Sequence, residues 1–151
     1  MWTAAKSEQG SKMDEQAEAD RLWAIAEAQP NFAKLLGLRI THATRDRVEA
    51  ELSVRDALAN RNGVLHGGAM MALADNLGGT ATFLNLPDGA STTTIESKTN
   101  FFRPIPLGQT ALAVCIPLHR GRRTMVWQTT VMGGDQKPAA IITQTQLVLQ
   151  A

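Results

Sequence analysis

The chain has 151 residues, of which 44% are hydrophobic and 19% charged, with a net charge of +1 and a single cysteine, Cys115. That length fits one domain with a sizeable core, and the near-neutral charge argues against nucleic acid or a membrane surface as partner. One cysteine excludes an intrachain disulfide framework and a cysteine-rich zinc site, no apolar run reaches the roughly 20 residues of a membrane span, and the polar N-terminus lacks a signal-peptide core, so a cytoplasmic protein is expected.

Residues 1–13 are small and polar without periodicity and read as a mobile N-terminal tail. From Asp14 to Ala28, "DEQAEADRLWAIAEA" reads as a helix, with acids in its first turn and Leu22, Trp23, Ile25 and Ala26 towards one side. Pro30 stops it, so a helical unit over 14–30 precedes a domain over 31–151. "NFAKLLG" then reads as a short second helix ending at Gly37.

Strand patterning follows. "LRITHAT" sets Leu38, Ile40 and His42 on one face, and "RVEAELSV" alternates Val48, Ala50, Leu52 and Val54 against Glu49, Glu51 and Ser53. Arg45 and Asp46 form the turn between them. After a long apolar helix over Ala69–Leu84, four extended segments are expected at about 91–103, 109–119, 123–132 and 139–149. Leu112, Val114, Ile116 and Leu118 share one face of the second of these, opposite Ala111, Ala113 and Cys115; Pro117 marks an edge or an end. Short turns between the last four strands favour an antiparallel meander. The fold class is therefore α+β, a six-stranded antiparallel sheet curled around one long helix.

The stretch "NRNGVLHGGAMMALADN", residues 60–76, carries the candidate chemistry. The helix is apolar nearly all round and so should be buried, yet it carries the carboxylate Asp75, which is costly unless paired or used. Helical spacing puts Met71, Ala72, Gly78, Gly79 and Thr82 beside it, most of them very small. Two adjacent glycines inside a helix cost roughly 1 kcal/mol each against alanine, so they point to close approach by a backbone or a ligand. The bland alternatives for Asp75 are a buried hydrogen-bond network or an ion pair with Arg61 or Arg103. At the helix start, Gly67 and Gly68 leave room for a ligand, and first-turn N–H groups without intrahelical partners favour an anion. The alternative there is a tightly packed turn, with Asn60 a turn residue and His66 a helix-start residue. Gly67 and Asp75 stand about 12 Å apart along one straight helix axis. One chain cannot readily bring both to one carbon, whereas two chains with antiparallel central helices can.

Asn60, Gly63, His66-Gly67-Gly68, Leu73 and Asp75 together resemble the hotdog-fold thioesterases, particularly the phenylacetate-degradation (PaaI-like) type, over roughly residues 32–150. The resemblance implies that the Gly67 amide polarises a thioester carbonyl and that Asp75 of the partner chain is general base or nucleophile. It further implies that Asn60 holds the water or thioester, that His66 supports the helix start, and that Thr94 helps place the water. The family uses no metal and no prosthetic group, and its usual assembly is a tetramer built from dimers.

Between Ser97 and Gly134 stand five basic residues, Lys98, Arg103, Arg120, Arg122 and Arg123, with no acid. "HRGRRT" falls at a strand-to-strand turn where guanidinium groups can reach the phosphates of coenzyme A, itself part of the substrate. Arg103, Arg120, Arg122 and Arg123, with Gly68, are therefore candidate substrate contacts, against the alternative of a solvated basic turn. Of the rival functions, hotdog dehydratases carry Pro-Gly-x-Pro near their histidine, where this chain has Gly-Gly-Ala-Met. A non-catalytic acyl-CoA-sensing domain would have no use for Asp75. A serine hydrolase would need a Gly-x-Ser-x-Gly stretch that is missing here.

Overall fold

The structure, a computed structural model, describes residues 3–150, with side chains from Ser11 onward. The elements run α1 (Thr3–Glu27), α2 (Asn31–Leu36), β1 (Arg39–Ala43), β2 (Val48–Ser53), α3 (Gly67–Phe83), β3 (Ser91–Phe101), β4 (Thr110–Arg120), β5 (Thr124–Met132) and β6 (Pro138–Leu149). The expected tail is corrected by this order. Helix α1 starts at Thr3 rather than Asp14, because residues 3–13 contain no proline and are mostly tolerant of helix; residues 1 and 2 lie outside the described residues. None of the described helices is long and apolar enough to cross a membrane.

All six strands pair antiparallel in the order β1-β2-β4-β5-β6-β3, and α3 packs across β2 to β6. The sheet around a central helix is as expected; the four-strand meander is not. β4, β5 and β6 are sequential neighbours, but β3 pairs with β6 at the far edge. Its connection to β4 carries Pro104 and Pro106, which cannot donate to a ladder. The buried Ile105 between them accepts a bond from the Leu65 N–H at 2.8 Å, so the connection is tied to the loop that leads into α3.

Two strand expectations need correction. A register shift between Ile40 and His42 bulges β1 and turns His42 out to solvent, while Leu38 and Ile40 stay buried. Pro117 lies inside β4, past Cys115 where the β2 pairing stops, so it meets an edge only locally and the strand continues to Arg120. The small residues Ala111, Ala113 and Cys115 face α3, while Ile116 and Leu118 remain exposed outside. Small residues on the inner face let the helix lie close to the sheet.

Under α3, Leu73, Leu77, Trp127, Val131 and Ile142 are fully buried. The Trp127 Nε1–H donates to Thr82 Oγ1 at 2.8 Å, and Thr82 donates to the Gly78 carbonyl at 2.8 Å, so these buried polar atoms of the helix–sheet contact are paired, whereas Gln144 Oε1 there has no partner among the described residues. The helix is not buried all round, however. Met71 and Phe83 are 39% and 50% exposed, and Asp75 lies on the same open face.

Helix α1 docks through Leu22 and Ala26, one turn apart, while Trp23 sits round the helix and stays 38% exposed. Arg45 in the β1–β2 turn ties it down, bonding Glu18 at 2.6 Å and the Leu84 carbonyl at 2.7 Å. Arg21 and then Arg45 hold the Glu18 carboxyl down to about 2, below the ordinary value of about 4.3. A lowered carboxyl contributes stability above its ordinary pKa and loses it as pH falls through the folded value. Trp23 fluorescence should therefore report loosening of α1 between about pH 5 and about pH 2, and Arg45→Ala should flatten that acid dependence.

Candidate active site

The loop before α3 is built by Asn60. Its Oδ1 accepts from the backbone N–H of Asn62 at 2.9 Å and of Val64 at 3.4 Å, and Gly63 closes the turn at φ +70°. The side-chain oxygen is thus committed, and the amide Nδ2 donates to no described residue. His66 caps α3, its Nδ1 accepting from the Gly68 N–H at 2.9 Å. That bond uses Nδ1 as the accepting ring nitrogen. It also occupies Gly68, leaving the Gly67 N–H without an acceptor among the described residues. Gly68 thus completes the cap, and Gly67 presents the free donor.

A Cβ on Gly67 would lie 3.1 Å from the Phe101 ring, so glycine is what lets the helix start sit beside β3. Asn60, Gly67, Met70, Phe101, Phe102 and Arg103 line a shallow cavity of about 330 Å³.

Asp75 lines a different cleft, of about 690 Å³, with Asn76, Gly79, Phe83, Thr94 and the end of α1. Among the described residues it makes no ion pair with Arg61 or Arg103. Its Oδ1 accepts from Thr94 Oγ1 at 2.9 Å and from Gln144 Nε2 at 2.8 Å. Gln146 Nε2 donates to Thr94 Oγ1 at 2.8 Å, and Thr92 donates to Gln146 Oε1 at 2.9 Å. Because Thr94 receives an amide hydrogen, its own proton is directed at the carboxylate. Asp75 Oδ1 is held by two donors, and Oδ2 has no described partner.

The hydrogen-bond network weighed for Asp75 thus exists, but it holds one oxygen and leaves the other beside a cleft. Gln144 and Gln146 are each 1% exposed and were missed by the sequence reading. The available signal was "TQTQ" in the last strand, which sets two amides in phase with Ile142 and Val148. The paired glycines on α3 now separate in role. A Cβ at Gly78 would fall 2.1 Å from Gln144 Oε1, whereas one at Gly79 would meet nothing within 4 Å. The first makes room for Gln144 and the second opens onto the cleft.

The candidate basic residues do not converge in one protomer. Arg103 lines the Gly67 cavity and donates to the Pro138 carbonyl at 3.0 Å. Arg122 and Arg123 are exposed in the β4–β5 turn, where the Arg123 carbonyl meets the Val148 N–H, roughly 30 Å away along β6. Arg120 is engaged within its own chain. It pairs with Asp46 at 2.7 Å and bonds the Arg45 carbonyl and Asn85 Oδ1, tying the β1–β2 turn to the end of α3. Burial pushes the Cys115 thiol up to about 11, which removes it as a nucleophile.

The thioesterase superfamily model matches residues 62–140, just over half of the chain. The chain is 35% identical over 96 residues to the proofreading thioesterase EntH of Cronobacter turicensis, covering 64% of this chain and 69% of that protein. Among solved structures, a mutant thioesterase from Pseudomonas aeruginosa is 28% identical with a TM-score of 0.78, over 87% of this chain and 94% of that one. The PaaI protein of the phenylacetic acid degradation operon of E. coli shares the fold at 21% identity, with a TM-score of 0.80 over 89% and 96% of the two chains.

Helix propensity alone favours alanine over either glycine by roughly 1 kcal/mol. Gly79→Ala should therefore raise the melting temperature, and Gly78→Ala should lower it by displacing Gln144. Gln144→Leu removes a hydrogen bond to a charged group, of the order of 1.5–3 kcal/mol, and should cut thioester turnover roughly tenfold to a hundredfold while the chain stays folded. Melting curves and steady-state kinetics on the three variants check this.

Proposed function

The chain belongs to the thioesterase superfamily, and on that premise we propose that it hydrolyses an acyl-CoA thioester at a site shared between two copies of itself. One observation carries the reading. The unpartnered Gly67 amide and the held Asp75 carboxylate line separate cavities of a single protomer, about 12 Å apart along α3. A second copy related by a two-fold axis near Met71 would bring the Gly67 of one chain opposite the Asp75 of the other.

Further features support the pairing. Met71, midway between the two groups, lies on the open face of α3. β3 is an eleven-residue edge strand bonded only on its β6 side, and a long exposed edge is a template for another strand. Thr94 at one end of β3 belongs to Asp75 and Phe101 at the other lies against Gly67, so an axis through the middle of β3 agrees with an axis at Met71. Apolar side chains left outside, such as Ile116 and Leu118, offer a surface on which two dimers could join as a tetramer.

In this reading the thioester carbonyl oxygen rests on the Gly67 N–H. Negative charge developing on it as the tetrahedral intermediate forms is stabilised by that donor and the helix dipole, worth roughly 3 kcal/mol for one such donor. With the opposing Asp75 as base, Oδ2 takes a proton from water as the water attacks; collapse breaks the C–S bond, the proton passes to the thiolate, and free acid and thiol leave. With it as nucleophile, Oδ2 attacks the carbon and expels the thiolate, leaving an acyl–aspartyl anhydride; water then hydrolyses the anhydride, which frees the acid, restores the carboxylate and supplies the thiolate's proton. Thr94 and Gln144 keep the carboxylate oriented, and Asn60 Nδ2 is the donor for the water or the thioester. His66 acts through the cap. Arg122 and Arg123 from one copy, with Arg103 from the other, are the contacts for the nucleotide phosphates.

Neither Asn60→Ala nor Asp75→Ala homodimers should turn over acyl-CoA, while mixing the two chains should restore one intact site per mixed dimer, about half of the wild-type dimer's activity. No recovery in chains shown to exchange would end the shared-site reading. Arg122→Ala with Arg123→Ala should raise KM for acyl-CoA several-fold and leave a short thioester without the nucleotide unaffected, as measured by thiol release.

A further inference from the structure

The end of α1 reaches the cleft that holds Asp75. Gln29 clamps it there: its Oε1 accepts from Asn76 Nδ2, and its Nε2 donates to Thr80 Oγ1 at 3.2 Å and to the Ala26 carbonyl at 2.5 Å. Asn76 and Thr80 are one turn apart on α3, immediately beyond the carboxylate. The clamp sets Ile25, Ala28 and Pro30 along the cleft, facing Gly79 and Phe83. The cleft is therefore two-ended, with hydroxyls and a carboxylate at β3 and an apolar end at α1. Gly79 opens onto it with nothing within 4 Å of a would-be side chain, so packing within the protomer gives no reason for glycine there.

Resting on the thioesterase reading, we propose that the last turn of α1, latched by Gln29, is the far wall of the acyl site and selects compact apolar acyl groups, aryl or medium-chain, over long chains. Two magnitudes set the size. The run from Asp75 to Phe83 is about 12 Å along the helix axis. The cleft volume of about 690 Å³ is that of a small-molecule site. Each methylene buried against the wall raises kcat/KM by up to about fourfold until the wall is met.

The test uses the full chain with acetyl-, benzoyl-, octanoyl- and palmitoyl-CoA. The wild type is expected to favour benzoyl and octanoyl over both acetyl and palmitoyl. Ala28→Trp, at an exposed position on the wall, is expected to lower the octanoyl-to-acetyl ratio of kcat/KM at least tenfold. Gln29→Ala releases the latch and is expected to raise the palmitoyl-to-octanoyl ratio. Ratios unmoved in both variants overturn the proposal, as does a uniform loss on every substrate. A changed oligomeric state of Ala28→Trp by light scattering also overturns it, because the wall then packs copies together. Octanoate binding by calorimetry needs no turnover and separates the two readings. A wild type that hydrolyses none of the thioesters but binds octanoate, with binding lost in Ala28→Trp, fails as a thioesterase and keeps the wall. A wild type that hydrolyses acetyl-CoA but does not bind octanoate loses the wall alone.

Discussion

Asp75 stands on the open face of an otherwise apolar helix, and the sheet supplies donors that fix one of its oxygens. Thr94 from β3 and Gln144 from β6 converge on one oxygen of Asp75, and Gln146 directs the Thr94 proton to it. The arrangement depends on a missing side chain. Gln144 fits beneath α3 because Gly78 has no Cβ, so a helix-weakening residue is retained where the sheet approaches. Holding one oxygen and leaving the other beside a cleft makes the acid both stable and usable.

Helix α3 organises the rest. Its buried face packs on the sheet through Leu73 and Leu77 and on Trp127, and this fixes the height and rotation of the helix. With those set, its start presents the Gly67 amide and its middle presents Asp75 on the open face. The same face carries Met71 and Phe83, which a lone soluble domain would have little reason to leave uncovered. The shared site proposed above would cover both the open helix face and the open β3 edge with a second copy of the chain.

Helix α1 looked in the sequence like an appendage of undetermined role. Its Leu22 and Ala26 anchor it, Arg45 pins its middle to the β1–β2 turn, and Gln29 ties its end to α3. Docking by a short apolar stripe plus three polar ties places its last turn beside the Asp75 carboxylate. An element outside the sheet-and-helix core thereby becomes a wall of the cleft.

The amino-acid sequence by itself determined the elements, because hydrophobic period, prolines and glycines act over a few residues. It set the two-strand hairpin around Arg45 and Asp46, the helix that starts after His66, and the family pattern of Asn60, His66-Gly67-Gly68 and Asp75. Only the tertiary structure decided which strand β3 pairs with, that α1 begins at Thr3, that Arg120 serves Asp46, and that Gln144 and Gln146 hold the acid through Thr94. Gln144 lies 69 residues from Asp75, and no local rule of spacing joins them. Their meeting follows from how the sheet wraps the helix, a property of packing between distant segments and not of any one segment.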